Sequence, residues 1–355
     1  MRFSNLFKIS EVGTPIFYLL FIGMCGCDSD KPLEKVEIAP EAASVEAIVH
    51  SFDVDLFACD FSQQSTCLDS LRNKYGGFFC GFVEDDLQLA ACRSDSVGRL
   101  LGMFIGDPQI ASTHKAVMEV FPPEKRQVLS ESFTDVVQRW HHYFPTRPVP
   151  QFIYYCSAWN RTIAATDSAI GIALDCYLGP EHEITRKLSP EIFPDYVKEN
   201  MDERFIVADA VKGFAAWNAR SIYQQKDLLS ELVFYGKVMY IAEALAPSIP
   251  DSIMMGWTTQ QWNWARAGEG DIWKTLAVEK TMFHSKPFEI NKWFNDGPFT
   301  SAAGIPQESA PQLGVWMGWN VIRSYMKKYP ETTLDQLMTE SDNQRLLSAY
   351  VPGKQ

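Results

Sequence analysis

Apolar residues recur at helical spacing along most of the chain, and this periodicity predicts a mostly helical protein. Residues 46–145 read as helical, beginning with Ser51-Phe-Asp-Val-Asp-Leu-Phe57 and continuing through amphipathic stretches near 66–74, 112–120 and 124–143. The last follows Pro122-Pro123, carries Val128, Val136, Val137 and Trp140, and is closed by Pro145, Pro148 and Pro150. The pattern then changes. Phe152–Cys156 and Ile170–Leu178 are β-rich runs bounded by turn residues, which fit two strands of a small central sheet. Helical spacing returns at 203–225 and at 228–246, where Leu228, Leu232, Tyr235, Met239, Ala242 and Leu245 form one continuous face.

Boundary residues place the remaining elements. Thr258-x-x-Gln261 has the form of a capping box, and Gly268 and Gly270 are expected to kink or interrupt the helix it opens. Residues 295–311 read as a Gly/Pro/Ser-rich loop, with Pro311 in the first turn of a helix over 311–328. Gly314 and Gly318 lie one turn apart there and invite close approach of another element. Ser341-x-x-Gln344 is expected to cap a last short helix. Eight of the ten tryptophans fall between Trp217 and Trp319, which places the main core in this helical C-terminal half. The fold class expected is α+β, mostly helical, with a small central sheet.

The N-terminus reads as an address. Arg2 and Lys8 precede an apolar run, Pro15–Met24, about half the length a helix needs to cross a bilayer and right for the apolar core of a signal peptide. Cys25-Gly26-Cys27 follows, resembling a bacterial lipobox. It implies residues 1–26 as a lipoprotein signal peptide and Cys27 as the lipidated first residue, in a tether over 27–45. Residues 46–355 are then one domain. Export leaves Cys59, Cys67, Cys80, Cys92, Cys156 and Cys176 to form disulfides or to remain as buried thiols. None belongs to a Cys-x-x-Cys pair, which argues against a zinc ribbon or a thioredoxin-like site.

Composition narrows the function. Lys and Arg number 32 against 44 Asp and Glu, a net charge of −12, so clustered positive charge for nucleic acid is not indicated. Mean hydropathy is −0.14, which excludes a polytopic membrane protein. The six histidines give no His-Glu-x-x-His; His182-Glu-Ile-Thr-Arg186 puts arginine where a second zinc ligand belongs. His182 reads as a loop residue and His141-His142 as a surface pair. No Gly-x-Ser-x-Gly elbow, P-loop or dinucleotide-binding glycine string occurs. Asp85-Asp86 reads as a solvated acidic pair. Charged residues interrupting apolar runs are the remaining candidates: Asp175, Asp209, Lys212, Glu231, Lys237 and Arg323, as a buried polar network or the lining of a cleft. No catalytic residue, metal ligand or cofactor is expected.

Several strings occur together and in order: Asp53-x-Asp-Leu-Phe57, Gly171-Ile-Ala-Leu-Asp-Cys-Tyr-Leu-Gly179, Tyr235-Gly-Lys-Val-Met-Tyr240, Ile272-Trp273, Gly297-Pro-Phe299 and Gly314-Val-Trp-Met-Gly-Trp-Asn-Val-Ile-Arg-Ser-Tyr-Met326. With the lipobox they resemble the GldB family of gliding-motility lipoproteins of Bacteroidota, across residues 46–352. That resemblance implies a membrane-anchored cell-envelope protein whose partners belong to the gliding machinery and the type IX secretion apparatus tied to it. It also implies a distant similarity to predicted zinc peptidases, with a degenerate zincin-like core. Their His-Glu-x-x-His helix corresponds here to residues 203–217, which hold Asp209 and Lys212 and no histidine. The function expected is a non-catalytic structural or assembly component, contacting partners through the Trp-rich half and the 295–311 loop. The alternatives are a metal-dependent hydrolase or a ligand-binding lipoprotein.

Overall fold

The computed structural model describes residues 33, 36–61, 64–223, 226–278 and 281–353. Cys27 and the signal segment lie outside the described residues. The N-terminal part runs through α1 (Pro40–Ala43), strand β1 (Val49–Ser51), α2 (Phe52–Phe57), α3 (Gln64–Gly81), α4 (Val97–Gly106), α5 (Pro108–Val120) and α6 (Pro123–Tyr143). The sheet is completed by β2 (Gln151–Tyr155), β3 (Ile163–Ala165) and β4 (Ala169–Ala173), and the short helices α7 (Glu183–Lys187) and α8 (Asp195–Lys198) follow. The C-terminal half holds α9 (Ile206–Ala219), α10 (Leu228–Leu245), α11 (Asp251–Met255), α12 (Thr259–Val278), α13 (Pro287–Asn291), α14 (Leu313–Lys328), α15 (Leu334–Thr339) and α16 (Asn343–Leu347). The protein is α+β and mostly helical, with a small sheet.

Strand order is β1-β2-β4-β3; β1, β2 and β4 are parallel, and β3 folds back antiparallel on β4. Every residue of β4 is buried, as expected for a strand covered on both faces. On one face, Phe78 of α3 crosses so close to Gly171 that a β-carbon there would lie 2.3 Å from its ring. On the other, α9 packs against Ile163 of β3, whose neighbour Ala164 points to the Phe78 side. Phe52 anchors the helical layer beneath, making edge contacts with Tyr75, Phe78, Phe79 and Phe82.

The second β-rich run is a strand only as far as Ala173. Leu174–Tyr177 turns into a 3-10 segment, so Asp175 lies past the strand end rather than within it. Strand β1 is an addition to the expected helical region, and β3 is an addition to the segment between the two expected strands. Val128, assigned to the apolar face of α6, is 61% exposed, whereas Val136, Val137 and Trp140 are buried.

Helix α10 is buried on nearly every side, beyond the single face expected, because α9, α14, α6 and the C-terminal helices surround it. Its seam with α14 is backbone on backbone. A β-carbon on Gly318 would sit 2.0 Å from the Leu232 carbonyl oxygen, and one on Gly236 would sit 2.2 Å from that of Gly318. The capping box of α12 forms as expected: Thr258 Oγ1 accepts from the Gln261 amide at 3.2 Å, and Gln261 Oε1 accepts from the Thr258 amide at 3.0 Å. Gly268 and Gly270 do not break that helix, which runs unbroken from Thr259 to Val278. Two isolated glycines cost a long helix only about 1 kcal/mol each. Helix α14 begins at Leu313 rather than Pro311, and Asp342 rather than Ser341 caps α16.

Two disulfides join neighbours in sequence, Cys59–Cys67 and Cys80–Cys92, while Cys156 and Cys176 are buried free thiols.

Candidate functional site

The carboxyl ends of β2 and β4 carry the first polar cluster. The buried Asp175 carboxylate accepts the amides of Ser157 at 3.0 Å and Trp159 at 2.9 Å, and the Trp159 indole donates to the Asp175 carbonyl at 3.0 Å. The loop between adopts left-handed backbone at two successive non-glycine residues, Ala158 (φ 54°) and Trp159 (φ 57°). Such residues persist only where their surroundings hold them, and here one carboxylate gathers the amides of both flanks. Burial pushes the Asp175 carboxyl up to about 6, with the backbone donors opposing it.

That value has a consequence for stability. The unfolded chain releases this proton near 3.8, whereas the native state keeps it to about 6. Ionisation across that window therefore costs the native state roughly 3 kcal/mol as pH rises, and the cost is complete above it. Asp175→Asn is expected to remove this component while leaving one of the two amides without an acceptor, at about 1–3 kcal/mol. Urea midpoints of both proteins between pH 4 and 6.5 measure it. The wild type should lose stability relative to the variant as pH rises; parallel curves would contradict the assignment.

Beside this loop, Tyr177 donates to Asp209 at 3.0 Å, and Lys212, one turn along α9, pairs with the other oxygen at 2.9 Å. Asp209 and Lys212 keep about a quarter of their side-chain surface in solvent. Asp296, from the loop before α14, is solvent-reachable and accepts from Gln312 at 2.5 Å. Crowding raises its carboxyl, against the lowering influence of Lys212. Tyr235, one turn after Glu231 in α10, stacks on Phe294; burial, with the Glu231 and Asp296 carboxylates adding to it, raises its phenol to about 12. Glu231 is buried and accepts from Tyr223 at 2.5 Å, and its carboxyl is raised by desolvation against that bond.

The other two candidates lie elsewhere. Lys237 points from α10 to the Glu340 carbonyl at 2.5 Å, and burial lowers its ammonium to about 8. Arg323 binds Asp251 through two nitrogens, at 2.7 and 3.0 Å, and Glu243 at 2.8 Å, with its guanidinium 3.8 Å from the Trp319 ring centre. Burial opposes its charge, but the two carboxylates hold it above its ordinary range. The six residues thus divide into one group at the sheet end (Asp175, Asp209, Lys212) and three separate contacts, at Glu231, Lys237 and Arg323.

Some polar contacts were not anticipated. Asp86 is not solvated: it is 5% exposed and meets Arg161 at 2.7 Å, because π-helical backbone over Phe82–Asp86 turns it inward. Asp53 and Arg126 form a buried two-point pair at 2.6 and 3.0 Å, joining α2 to α6. Asp53 stood in a quoted string, but nothing in its spacing pointed to an arginine 73 positions on. His182 caps α7, accepting the Ile184 amide at 3.2 Å, and His142 accepts from Ala39 at 3.2 Å.

Chemically, the sheet-end group is a set of mutually satisfied charges. Its one ammonium lies against Asp209, and burial keeps the thiols of Cys156 and Cys176 protonated. No set of three His, Cys, Asp or Glu side chains placed to hold a metal occurs among the described residues. No described helix is long and apolar enough to cross a membrane. Fold and site together define a mostly helical α+β protein with a polar, partly open cluster at the end of a small sheet.

The chain belongs to the family described as gliding motility protein GldB, a lipoprotein family, whose model matches residues 34–352. It is a gliding-motility-associated protein. No curated protein and no solved structure matches it.

Proposed function

We propose that this chain is a lipid-anchored, non-catalytic assembly component of the gliding machinery and of the type IX secretion apparatus linked to it. It is held in the cell envelope by acylated Cys27, and residues 46–355 act as a single body that binds envelope proteins. The Asp209–Lys212 pair carries the non-catalytic part of this reading. On the helix where the resembling peptidases place two imidazoles, an ammonium lies 2.9 Å from the one carboxylate. A cation in that position repels a metal ion and holds the carboxylate in an ion pair.

Two chromosomal variants test it. Cys27→Ala should leave uncleaved precursor or release the protein from membranes, and gliding should fail; a processed, membrane-bound mutant would refute the anchor. Asp209→Asn should fold and glide normally, since no reaction depends on it. Loss of gliding by a stable Asp209→Asn protein, together with stoichiometric zinc in the purified wild type, would favour the hydrolase instead.

A further inference from the structure

Residues 283–288, Phe-His-Ser-Lys-Pro-Phe, are all exposed, between a 3-10 turn and α13. Phe283 is 59% exposed and Phe288 72%, so two large aromatic rings stand in solvent five residues apart. Beside them lies a groove of about 370 Å³ between α12, α13 and the loop at Ala302–Gly304. Lys274, His284, Glu289 and Lys292 line it, with Thr275 and Trp293. Lys274, Lys286 and Lys292 stand here against Asp271 and Glu289, a small local excess of positive charge in a protein of charge −12, next to exposed aromatics. Lys274 pairs with Asp271 and Lys292 with Glu289, each at 3.0 Å within one turn of chain. Lys292 also sits 4.3 Å from the Phe288 ring centre. The Lys274 pair is exposed and the Lys292 pair half-buried; surface pairs contribute little and can give way to an incoming carboxylate.

We propose that the Phe283–Phe288 ridge and its groove are a docking site for an extended, acidic and apolar segment of a partner protein. Apolar side chains of the segment cover Phe283 and Phe288, and its carboxylates enter among Lys274, His284 and Lys292. Aromatic anchors beside a small pocket are the usual centre of a protein interface. The membrane is the less favoured occupant for two reasons. Polybasic lipid binding uses about four to eight clustered Lys or Arg, whereas this ridge and groove offer Lys274, Lys286 and Lys292, two of them paired. The chain also emerges from its N-terminal segment elsewhere. Arg139 donates to the Leu33 carbonyl at 3.1 Å, and Ala39 donates to His142, so the segment runs along the end of α6, where Tyr143 adjoins Tyr240 of α10. The ridge is fixed at the opposite end of α10, where Leu228 donates to the His284 carbonyl at 3.0 Å. Twelve helical residues separate the two by roughly 18 Å. This second reason rests on the anchored reading, but the binding test does not.

The full chain, purified in detergent, is panned against a library of random displayed peptides. Selected peptides should combine Asp or Glu with apolar residues. Their affinity should fall at least about tenfold in the Phe283→Ser/Phe288→Ser double variant and lose its salt dependence in Lys274→Glu/Lys292→Glu. Phe283, Phe288 and Lys274 are exposed and Lys292 is half-buried, and unchanged thermal unfolding shows that both variants fold. Peptides without acidic residues, or peptides indifferent to both variants, overturn the proposal. So does binding to phosphatidylglycerol vesicles that the double variant abolishes, which assigns the ridge to lipid. Self-association lost in the same variant would assign it to a second copy and equally overturn it. Cys27→Ala fractionation is independent of all these outcomes, so the anchor and the docking site fail separately.

Discussion

Gly318→Ala is expected to destabilise the protein by more than about 3 kcal/mol, at the upper end of what overpacking costs. The added carbon would lie 2.0 Å from the Leu232 carbonyl oxygen, a backbone atom in the interior of α10. No rotamer relieves such a clash; α10 and α14 must move apart by more than 1 Å. Leu232 and Ile322, both buried, meet the glycines at that seam, and Trp319 donates across it to Glu243, contacts that would be lost as the helices separate. Gly270→Ala in α12 is the matched control. It is helical and exposed, and a β-carbon there meets nothing within 4 Å, so the same change should stabilise by about 0.5–1 kcal/mol. Urea unfolding of the two variants should shift in opposite directions. A Gly318→Ala protein as stable as wild type would mean that the seam is looser than described.

Arg323→Met is expected to cost about 3–5 kcal/mol, because removing the cation of a buried ionic group leaves the Glu243 charge uncompensated. Glu243 and Asp251 are 5% and 7% exposed, and Arg323 is the cation that both contact. Trp319 donates to Glu243 at 2.7 Å but supplies no charge. Arg323→Lys should recover only part of the loss, since one ammonium cannot reproduce a planar fork that meets two carboxylates and stacks on an indole. Glu243→Gln in the Arg323→Met background should restore part of the stability, because it removes the buried charge that Arg323 compensated. Thermal unfolding across this series provides the measurement. Equal stability of Arg323→Met and wild type would show that the triad is solvated.

Why some of this was legible in sequence and some was not follows from the range of the forces involved. The register of α10 and the capping box of α12 depend on residues three or four apart, so local spacing carries them. The small residues of α14 announced a close approach, although not which helix would make it. Strand β1 escaped notice because Val49-His50-Ser51 is short and half-polar; pairing with β2, about a hundred residues later, makes it a strand. Asp86 looked solvated beside Asp85, and only Arg161 and a π-helical turn bury it. Arg323 was recognisable as a charge in an apolar helix next to Trp319, but its partners sit 72 and 80 positions away. The family strings were more informative than the charges: Gly171, Gly236, Gly314 and Gly318 mark contacts too close for a β-carbon, and those residues stand in the quoted motifs.

If Cys27 anchors the chain as proposed, the way Leu33 and residues 36–51 meet the rest of the molecule bears on how it carries load. Gln138 donates to the carbonyls of Ala43 and Val45, Arg139 holds Leu33, and His142 holds Ala39, so the lead-in is stitched to α6 before it reaches β1. Tension arriving through Cys27 would meet these side chains first, one after another. Only then would it reach β1, whose parallel bonds to β2 lie across the line of a pull along the strand and resist it together in shear. A body moored beside moving machinery would in this way spend its surface stitches before its sheet, extending by short steps while the core that displays the docking ridge stays folded.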